Sequence, residues 1–177
     1  REGKEGVQFQ GFALRGRTEL DEIDDTNFCF LPDLVAESGM SNLDGFQMSD
    51  LKARKNCRVN VQKHFYHRGL GGSTKKYEDM ELLFKQLHLL LTSGSVNLSK
   101  DALNVLLQRN RESVQNGGSS PEVLFMREVQ KSLFGDTPLL RPLTETLLDE
   151  VKLERMQELY DVAFTERVSN FVFCFVL

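Results

Sequence analysis

Residues 77–92 constrain the fold of this chain more than any other stretch of its sequence. Apolar side chains recur there at intervals of three and four residues, which is the spacing of one face of an α-helix. Leu82 and Leu89 widen that face, so the segment predicts a helix that is largely buried. The apolar series consists of Met80, Leu83, Phe84, Leu87, Leu90 and Leu91.

Other parts of the chain have the patterns of β-strands. Alternating apolar residues predict one strand over residues 7–14 and a half-buried strand over residues 57–62. The glycines within residues 69–72 predict a turn into a second strand, or a bulge. Residues 171–177 are apolar throughout, which predicts a central strand that is covered on both faces.

The remaining periodic segments predict helices, most of them with a recognisable start signal. They are 27–37, with Asp25 or Thr26 as N-cap; 49–55, capped by Ser49; 99–112, capped by Ser99; 122–133, with Pro121 at the first helical position; 144–149; and 153–165. Pro32 is tolerated in the first of these helices only near its first turn or at a kink.

The order of these elements predicts the fold class. A strand, helices, further strands, a helical run and a closing strand are typical of an α+β domain with helices on one face of a mostly antiparallel sheet. We expect residues 1–6 to form a linker and residues 7–177 to form a single domain. The chain does not begin with methionine and stops inside an apolar run, so we expect a fragment of a longer polypeptide.

Composition excludes several classes of function. The net charge of −4 and the scattered basic residues argue against a nucleic-acid-binding protein. No apolar run approaches the roughly 20 residues that a membrane-spanning helix needs, and no signal peptide is visible. Cys29, Cys57 and Cys174 lie in apolar surroundings without close spacing, which predicts buried, reduced thiols rather than disulfides or a zinc cluster.

The histidines do not form a recognisable metal site. His64 and His67 could be grouped with Cys57, but residues three apart in one strand point to opposite faces, which argues against a shared metal. His88 lies inside the apolar helix and is predicted to be a core histidine with satisfied hydrogen bonds. No two of these histidines have the spacing of the zinc-binding sequence His-x-x-Glu-His.

Other candidate chemistry is also weak. Residues 69–74 are rich in glycine but lack the lysine of a phosphate-binding loop. The acidic residues between 21 and 25 predict a solvated turn, and no nucleophile has the sequence context of a hydrolase. We therefore expect no catalytic, cofactor-binding or metal-binding residues in this segment.

Seven short motifs nevertheless occur in an order that resembles one domain of a pitrilysin/insulysin-type zinc metallopeptidase of the insulinase family. They are the helix ending at Ser38-Gly39, the strand and glycines of 57–73, the leucine-rich helix of 82–92, Pro121 with Phe125, the Phe-Gly-x-x-Pro and Pro-Leu elements of 134–143, Tyr160 with Phe164, and the closing strand of 171–176. Each motif alone has low specificity, whereas seven in the correct order are considerably more specific.

The resemblance implies which part of such an enzyme this segment is. In the catalytic domain of that family the His-x-x-Glu-His helix would fall near residues 30–34, where this chain has Phe30, Asp33 and Leu34. Glu112 could match the distal glutamate ligand of the family, but no histidines accompany it. The segment therefore looks like a non-catalytic domain, the third of four homologous domains, with zinc expected only in the catalytic domain of the parent protein.

The role that the resemblance implies is architectural. The domain would form part of the wall of a chamber that encloses a peptide substrate, and its partners would be the other domains of the same polypeptide. The parent would then be a zinc metalloendopeptidase. An alternative is an inactive scaffold subunit of the same fold, as in mitochondrial processing peptidase or the respiratory cytochrome bc1 complex. A helical binding module of unrelated fold would require residues 171–177 to lie outside any sheet.

Overall fold

The computed structural model describes residues 6–176 except residues 42, 93, 118, 119 and 136. Within these residues the chain forms seven α-helices: α1 (Glu22–Glu37), α2 (Gly45–Lys55), α3 (Met80–Leu91), α4 (Lys100–Gly117), α5 (Pro121–Phe134), α6 (Glu145–Asp149) and α7 (Leu153–Tyr160). The strands are β1 (Val7–Leu14), β2 (Gly39–Met40), β3 (Cys57–Lys63), β4 (His67–Thr74), β5 (Val96–Asn97) and β6 (Val172–Val176). The predicted linker, apart from Gly6, lies outside the described residues.

The main sheet has four antiparallel strands in the order β3-β4-β1-β6. Its core face carries Val7, Phe9 and Ala13 of β1 together with Leu70 of β4, all of them buried. Helices α1 and α3 pack against β3, which completes the hydrophobic core. The predicted α+β class, with helices packed on one face of an antiparallel sheet, is confirmed. A second small sheet pairs β2 with β5.

The closing strand does not lie where its composition predicted. β6 pairs with β1 and ends the sheet, so it is an edge strand rather than a central one. Phe173 and Phe175 share the core face with Phe9, whereas Val172 and Val176 are exposed on the opposite face. An apolar run does not by itself distinguish burial on both faces from an edge with apolar side chains. The pairing of β6 with β1 also contradicts the helical-module alternative.

Helix α1 begins earlier than predicted. Its N-cap is Asp21, whose carboxylate accepts a hydrogen bond from the backbone N–H of Asp24 at 2.8 Å. Asp25 and Thr26, the predicted caps, are buried inside the first turns of the helix. Pro32 lies in the middle of α1 and not in its first turn. The acidic run offers several capping residues, and the sequence pattern did not distinguish among them.

The starts of the other helices follow their predicted signals unevenly. α2 begins at Gly45 with a capping box of Asp44 and Gln47, so Ser49 lies inside the helix rather than at its cap. The Ser99 hydroxyl accepts a hydrogen bond from the N–H of Ala102 at 3.2 Å, as predicted for a cap. Pro121 occupies the first turn of α5, also as predicted.

Helix α3 has the predicted apolar face only in part, because Phe84 of that series is exposed and the helix is less buried than predicted. Leu83, Leu87 and Leu90 are buried, and Gln86 is buried among them. His88 is exposed, so it is not a core residue. Residues 83, 86, 87 and 90 have the spacing of one helix face, whereas position 88 falls outside it.

The end of the helical run packs against α3 and β6 through aromatic rings. The α7 helix continues into a π-helical turn, Asp161–Thr165, so that Tyr160 and Phe164 lie 5.3 Å apart between ring centroids. The Tyr160 hydroxyl donates a hydrogen bond to the carbonyl of Leu90 at 2.5 Å. Phe164 also stacks near Phe171 at 6.0 Å, which links the helices to the strand side of the core. Within the described residues no helix is long and apolar enough to cross a membrane.

The three cysteines occupy different environments. Cys57 is buried, Cys29 is half-buried and Cys174 is exposed, so the prediction of buried thiols is wrong for Cys174. Its side chain lies on the face of the main sheet opposite the helices that form the core. Burial raises the pKa of the Cys57 thiol to about 11 and also raises the pKa of Cys29.

We expect thiol-specific reagents to distinguish these cysteines. At pH 8 Cys174 should react fastest with an aromatic disulfide reagent because it is exposed, and the half-buried Cys29 should react more slowly. Cys57 is 0% exposed, so the reagent should reach it only after unfolding; burial also raises the pKa of this thiol to about 11, which lowers its reactivity further. The time course of release of the reagent's aromatic thiolate measures the reaction rates of all three cysteines. The Cys174→Ser variant should lose only the fast phase. Equal rates for the three thiols would contradict the described burial.

Candidate functional site

Helix α1 carries the positions where the family resemblance would place a zinc-binding motif. Phe30 and Leu34, the positions expected for the two histidines, are buried, and Leu34 is 0% exposed. Asp33, near the position expected for the glutamate, is exposed. The two positions therefore contribute hydrophobic packing to the core. Within the described residues no group of three or more His, Cys, Asp or Glu side chains could hold a metal ion.

A cleft of about 250 Å³ lies beside these positions. Phe30 and Asp33 line it from α1, Lys63 from the end of β3 and Asn110 from α4. The Lys63 ammonium donates a hydrogen bond to the backbone carbonyl of Cys29. These side chains come from distant parts of the chain, and sequence reasoning found neither Lys63 nor Asn110.

Glu112 does not join this cleft. It is exposed on α4, and its carboxylate accepts a hydrogen bond from the Gln108 amide at 2.9 Å. The α4 residue that lines the cleft is Asn110, whose amide donates to the carbonyl of Leu106 at 2.8 Å. The proposed match to a distal glutamate ligand therefore has no counterpart in the geometry of the cleft.

The acidic residues of 21–25 are not a solvated turn. Asp25 is buried and forms two hydrogen bonds of 2.7 Å with the Arg17 guanidinium. Asp24 pairs in the same bidentate way with Arg155, at 2.7 and 2.6 Å. Glu22 and Arg141 form a third ion pair at 3.1 Å, so the prediction of a solvated turn is wrong. These carboxylates attach the start of α1 to three other segments, and their arrangement is structural.

His64 and His67 lie on the same side of the sheet, which corrects the expectation of opposite faces. The chain turns between them, and the N–H of His64 donates to the carbonyl of His67 at 3.1 Å. Their rings stack with centroids 4.1 Å apart. The pKa of His64 is lowered from its ordinary value of 6.5, chiefly by burial and also by the charge of His67. The unfolded chain thus binds that proton more readily, so His64 protonation opposes folding as the pH falls below 6.5.

The face of the main sheet opposite the helices is largely uncharged and rich in side-chain amides. We call it the open face; it comprises Gln8, Gln10, Phe12 and Leu14 of β1, Arg58, Asn60 and Gln62 of β3, His67, Gly69, Gly71 and Ser73 of β4, and Val172, Cys174 and Val176 of β6. Polar amides thus occupy its middle, and exposed apolar side chains lie towards β6.

A pair of glutamine side chains bridges the middle of the open face. The Gln10 amide nitrogen donates a hydrogen bond to the Gln62 side-chain oxygen. The Gln62 amide nitrogen in turn donates to the Gln10 side-chain oxygen at 3.5 Å. The bridge crosses over β4 at Gly71. A Cβ atom at Gly71 would lie 2.5 Å from the Gln62 amide nitrogen and 2.8 Å from the Asn60 side-chain oxygen. A side chain at this position would therefore displace the ends of Gln62 and Asn60 from their present places.

Helix α5 presents a second distinctive surface. None of its 14 residues is buried, although the helix is apolar over much of its length. A groove of about 540 Å³ runs between α4 and α5, lined by Val114, Val123 and Met126 among others. The exposed apolar residues of α5 are Val123, Leu124, Phe125, Met126, Leu133 and Phe134. Contiguous exposed apolar surface of this kind is typical of an interface.

Similarity to individual known proteins comes from comparison of the structure. No protein-family model and no curated protein matches the chain. The periplasmic protease PqqL from Escherichia coli matches with a TM-score of 0.80 and 12% identity, over 99% of this chain and 19% of PqqL. A peptidase M16 inactive domain from Pseudomonas fluorescens matches with a TM-score of 0.72 and 11% identity, over 97% of this chain and 41% of that chain. An inactive peptidase domain from Bordetella parapertussis matches with a TM-score of 0.68 and 13% identity, over 100% of this chain and 92% of that chain.

These similarities define the class of fold. The chain has the fold of an M16, pitrilysin-like, peptidase domain, and it resembles inactive peptidase domains. It spans about a fifth of the length of PqqL. At identities of 11 to 13% the comparison shows the fold and not an activity.

Proposed function

We propose that this chain is a non-catalytic domain of a zinc-dependent peptidase, the third of four homologous domains, and forms part of a chamber that encloses peptide substrates. The observation that carries the proposal is the burial of Phe30 and Leu34 in an M16 domain fold. Phe30 and Leu34 stand where the resemblance would place histidines, and both are buried in the core. This supports a structural role for the domain, with zinc bound by another domain of the same protein.

The open face supports the role of a chamber wall. Amides such as those of Gln10 and Gln62 can donate and accept hydrogen bonds, which is what an extended peptide backbone of any sequence requires. Phe12 and Leu14 add exposed apolar area beside the amides. A face with little charge would discriminate weakly between peptides.

Helix α5 supports attachment to another domain of the same polypeptide. Six apolar residues of α5 are exposed, whereas scattered single apolar residues are normal on a protein surface. In a polypeptide as long as PqqL, about four fifths of the chain would lie outside this segment and could supply the covering domain. In this proposal a neighbouring domain covers Phe125 and Phe134 and fills the groove between α4 and α5.

The test uses the native polypeptide that contains this sequence. It should bind zinc and hydrolyse an unstructured peptide, and both properties should survive Asp33→Asn and Glu112→Gln. The Phe125→Asp variant should weaken attachment of the domain and lower peptide hydrolysis at least about fivefold, because it places a charge in an apolar interface. The matched control is Phe46→Asp on α2, where the ring is 84% exposed and should leave hydrolysis unchanged.

The outcomes separate the proposal from its alternative. Loss of zinc or turnover on Asp33→Asn would overturn the non-catalytic assignment. A polypeptide that binds no zinc and hydrolyses no peptide, yet still depends on Phe125 for assembly, would instead support the inactive scaffold subunit.

A further inference from the structure

Strand β6 leaves one edge of the main sheet unprotected. It pairs with β1 on one side, and no strand among the described residues pairs with its other side. None of its five residues is charged, and none is proline. Exposed edges without such residues readily pair with another strand. The opposite edge differs, because β3 carries Arg58 and Lys63.

The side chains around this edge are unusually apolar. Val172 is 59% exposed and Val176 is 64% exposed on the open face. On the core face, Phe175 is 45% exposed and lies 5.8 Å from the ring of Phe84, which is itself 39% exposed. The hydrophobic core therefore reaches the surface along β6. A further strand beside β6 would cover both faces of this edge.

The sequence of β6 reads the same in both directions: Val172-Phe173-Cys174-Phe175-Val176. When such a strand pairs antiparallel with its own copy about Cys174, each valine faces a valine and each Phe173 faces a Phe175. The two cysteines face each other at the centre. Partners in an antiparallel pair point to the same face, so aromatic rings meet on the core side and valines on the open side.

We propose that two copies of this chain associate through β6, antiparallel and centred on Cys174, to form one continuous eight-stranded sheet. The arrangement is a two-fold interface in which the same strand serves both partners. It pairs the free backbone groups of both edges and covers Phe84, Phe175 and both valines. The pairing requires neither zinc nor peptide, although Val172 and Val176 also belong to the open face.

The first measurement is the mass of the chain in solution by sedimentation at several concentrations. We expect a dimer, at twice the 20.2 kDa mass of the chain, that dissociates on dilution. Val176→Lys should raise the dissociation constant at least about tenfold, because the change occurs twice in a symmetric interface. Val172→Lys should do the same. The matched control is Val105→Lys on α4, where the valine is 57% exposed, and it should have no effect.

A rescue experiment tests the register of the pair. In the double variant V172E/V176K, each introduced carboxylate would face an introduced ammonium of the other copy, so dimerisation should recover at low salt. A short bis-maleimide should also join two chains through Cys174, and Cys174→Ser should abolish that product while Cys29→Ser should not. Circular dichroism confirms that each variant is folded.

Two results would overturn association through β6, and a third would overturn its register. One is a monomer at every soluble concentration, which would mean that β6 does not pair with itself. The other is a dimer that tolerates both lysine substitutions, which would place the contact elsewhere. Failure of the double variant to recover would reject the antiparallel register centred on Cys174. None of these results bears on whether the domain belongs to a peptidase.

Discussion

Replacement of Tyr160 by alanine is expected to lower the free energy of unfolding by about 3–5 kcal/mol. The tyrosine is 1% exposed, and its ring packs against Phe164. Its hydroxyl also satisfies the carbonyl of Leu90 at the end of α3. The substitution removes the ring, leaves a cavity between α3 and α7, and leaves a buried carbonyl without this donor. Denaturant unfolding followed by circular dichroism measures the change.

Two further variants separate the contributions at this position. Tyr160→Phe keeps the ring and removes the hydrogen bond, so it should cost about 1–2 kcal/mol. Tyr66→Ala is the matched control, because Tyr66 is 75% exposed, and it should change stability by less than about 0.5 kcal/mol. If Tyr160→Ala were no more destabilising than Tyr66→Ala, the packing of α7 on α3 would be wrong.

The second large effect is expected for Asp25→Ala, at about 3 kcal/mol of destabilisation. The Arg17 and Asp25 side chains are only 18% and 10% exposed, and the hydrogen bonds between them raise the pKa of Arg17. Removal of the carboxylate would leave a largely buried cation with one long hydrogen bond, 3.3 Å to the carbonyl of Leu139, and the ring of Phe65 at 5.3 Å. Thermal and denaturant unfolding both measure the loss.

The control for Asp25 is an exposed ion pair on another helix. Asp50 and Arg54 lie one turn apart on α2 and are largely exposed, so Asp50→Ala should cost less than about 0.5 kcal/mol. Replacing both members of the buried pair, in R17M/D25L, should recover much of the lost stability because no unpaired charge remains. A double variant as unstable as Asp25→Ala alone would show that other contacts of Arg17 dominate.

Local patterns predicted the fold well where one spacing decided the outcome. The spacing of Leu83, Leu87 and Leu90 defined the buried face of α3, and Ser99 and Pro121 marked true helix starts. The same spacing could have identified Gln86 as buried and His88 as exposed, since three and four residues separate Gln86 from Leu83 and Leu90.

Features that depend on tertiary contacts could not be predicted in this way. The buried state of Asp25 depends on Arg17, and the edge position of β6 depends on strand order. The stacked His64 and His67 required knowing that the chain turns between them. The cleft beside Phe30 combines α1, β3 and α4, and only the folded chain brings Lys63 and Asn110 to it.

The lack of any buried residue in α5 has a consequence for the energy landscape of the domain. A helix of 14 residues without a buried face is held mainly by its own hydrogen bonds, and isolated helices of that length are marginal in water. Its amide protons would therefore exchange through local opening that leaves the rest of the core intact. Any protein that docks on α5 would raise the cost of that opening, so recognition and helix ordering would be a single coupled equilibrium.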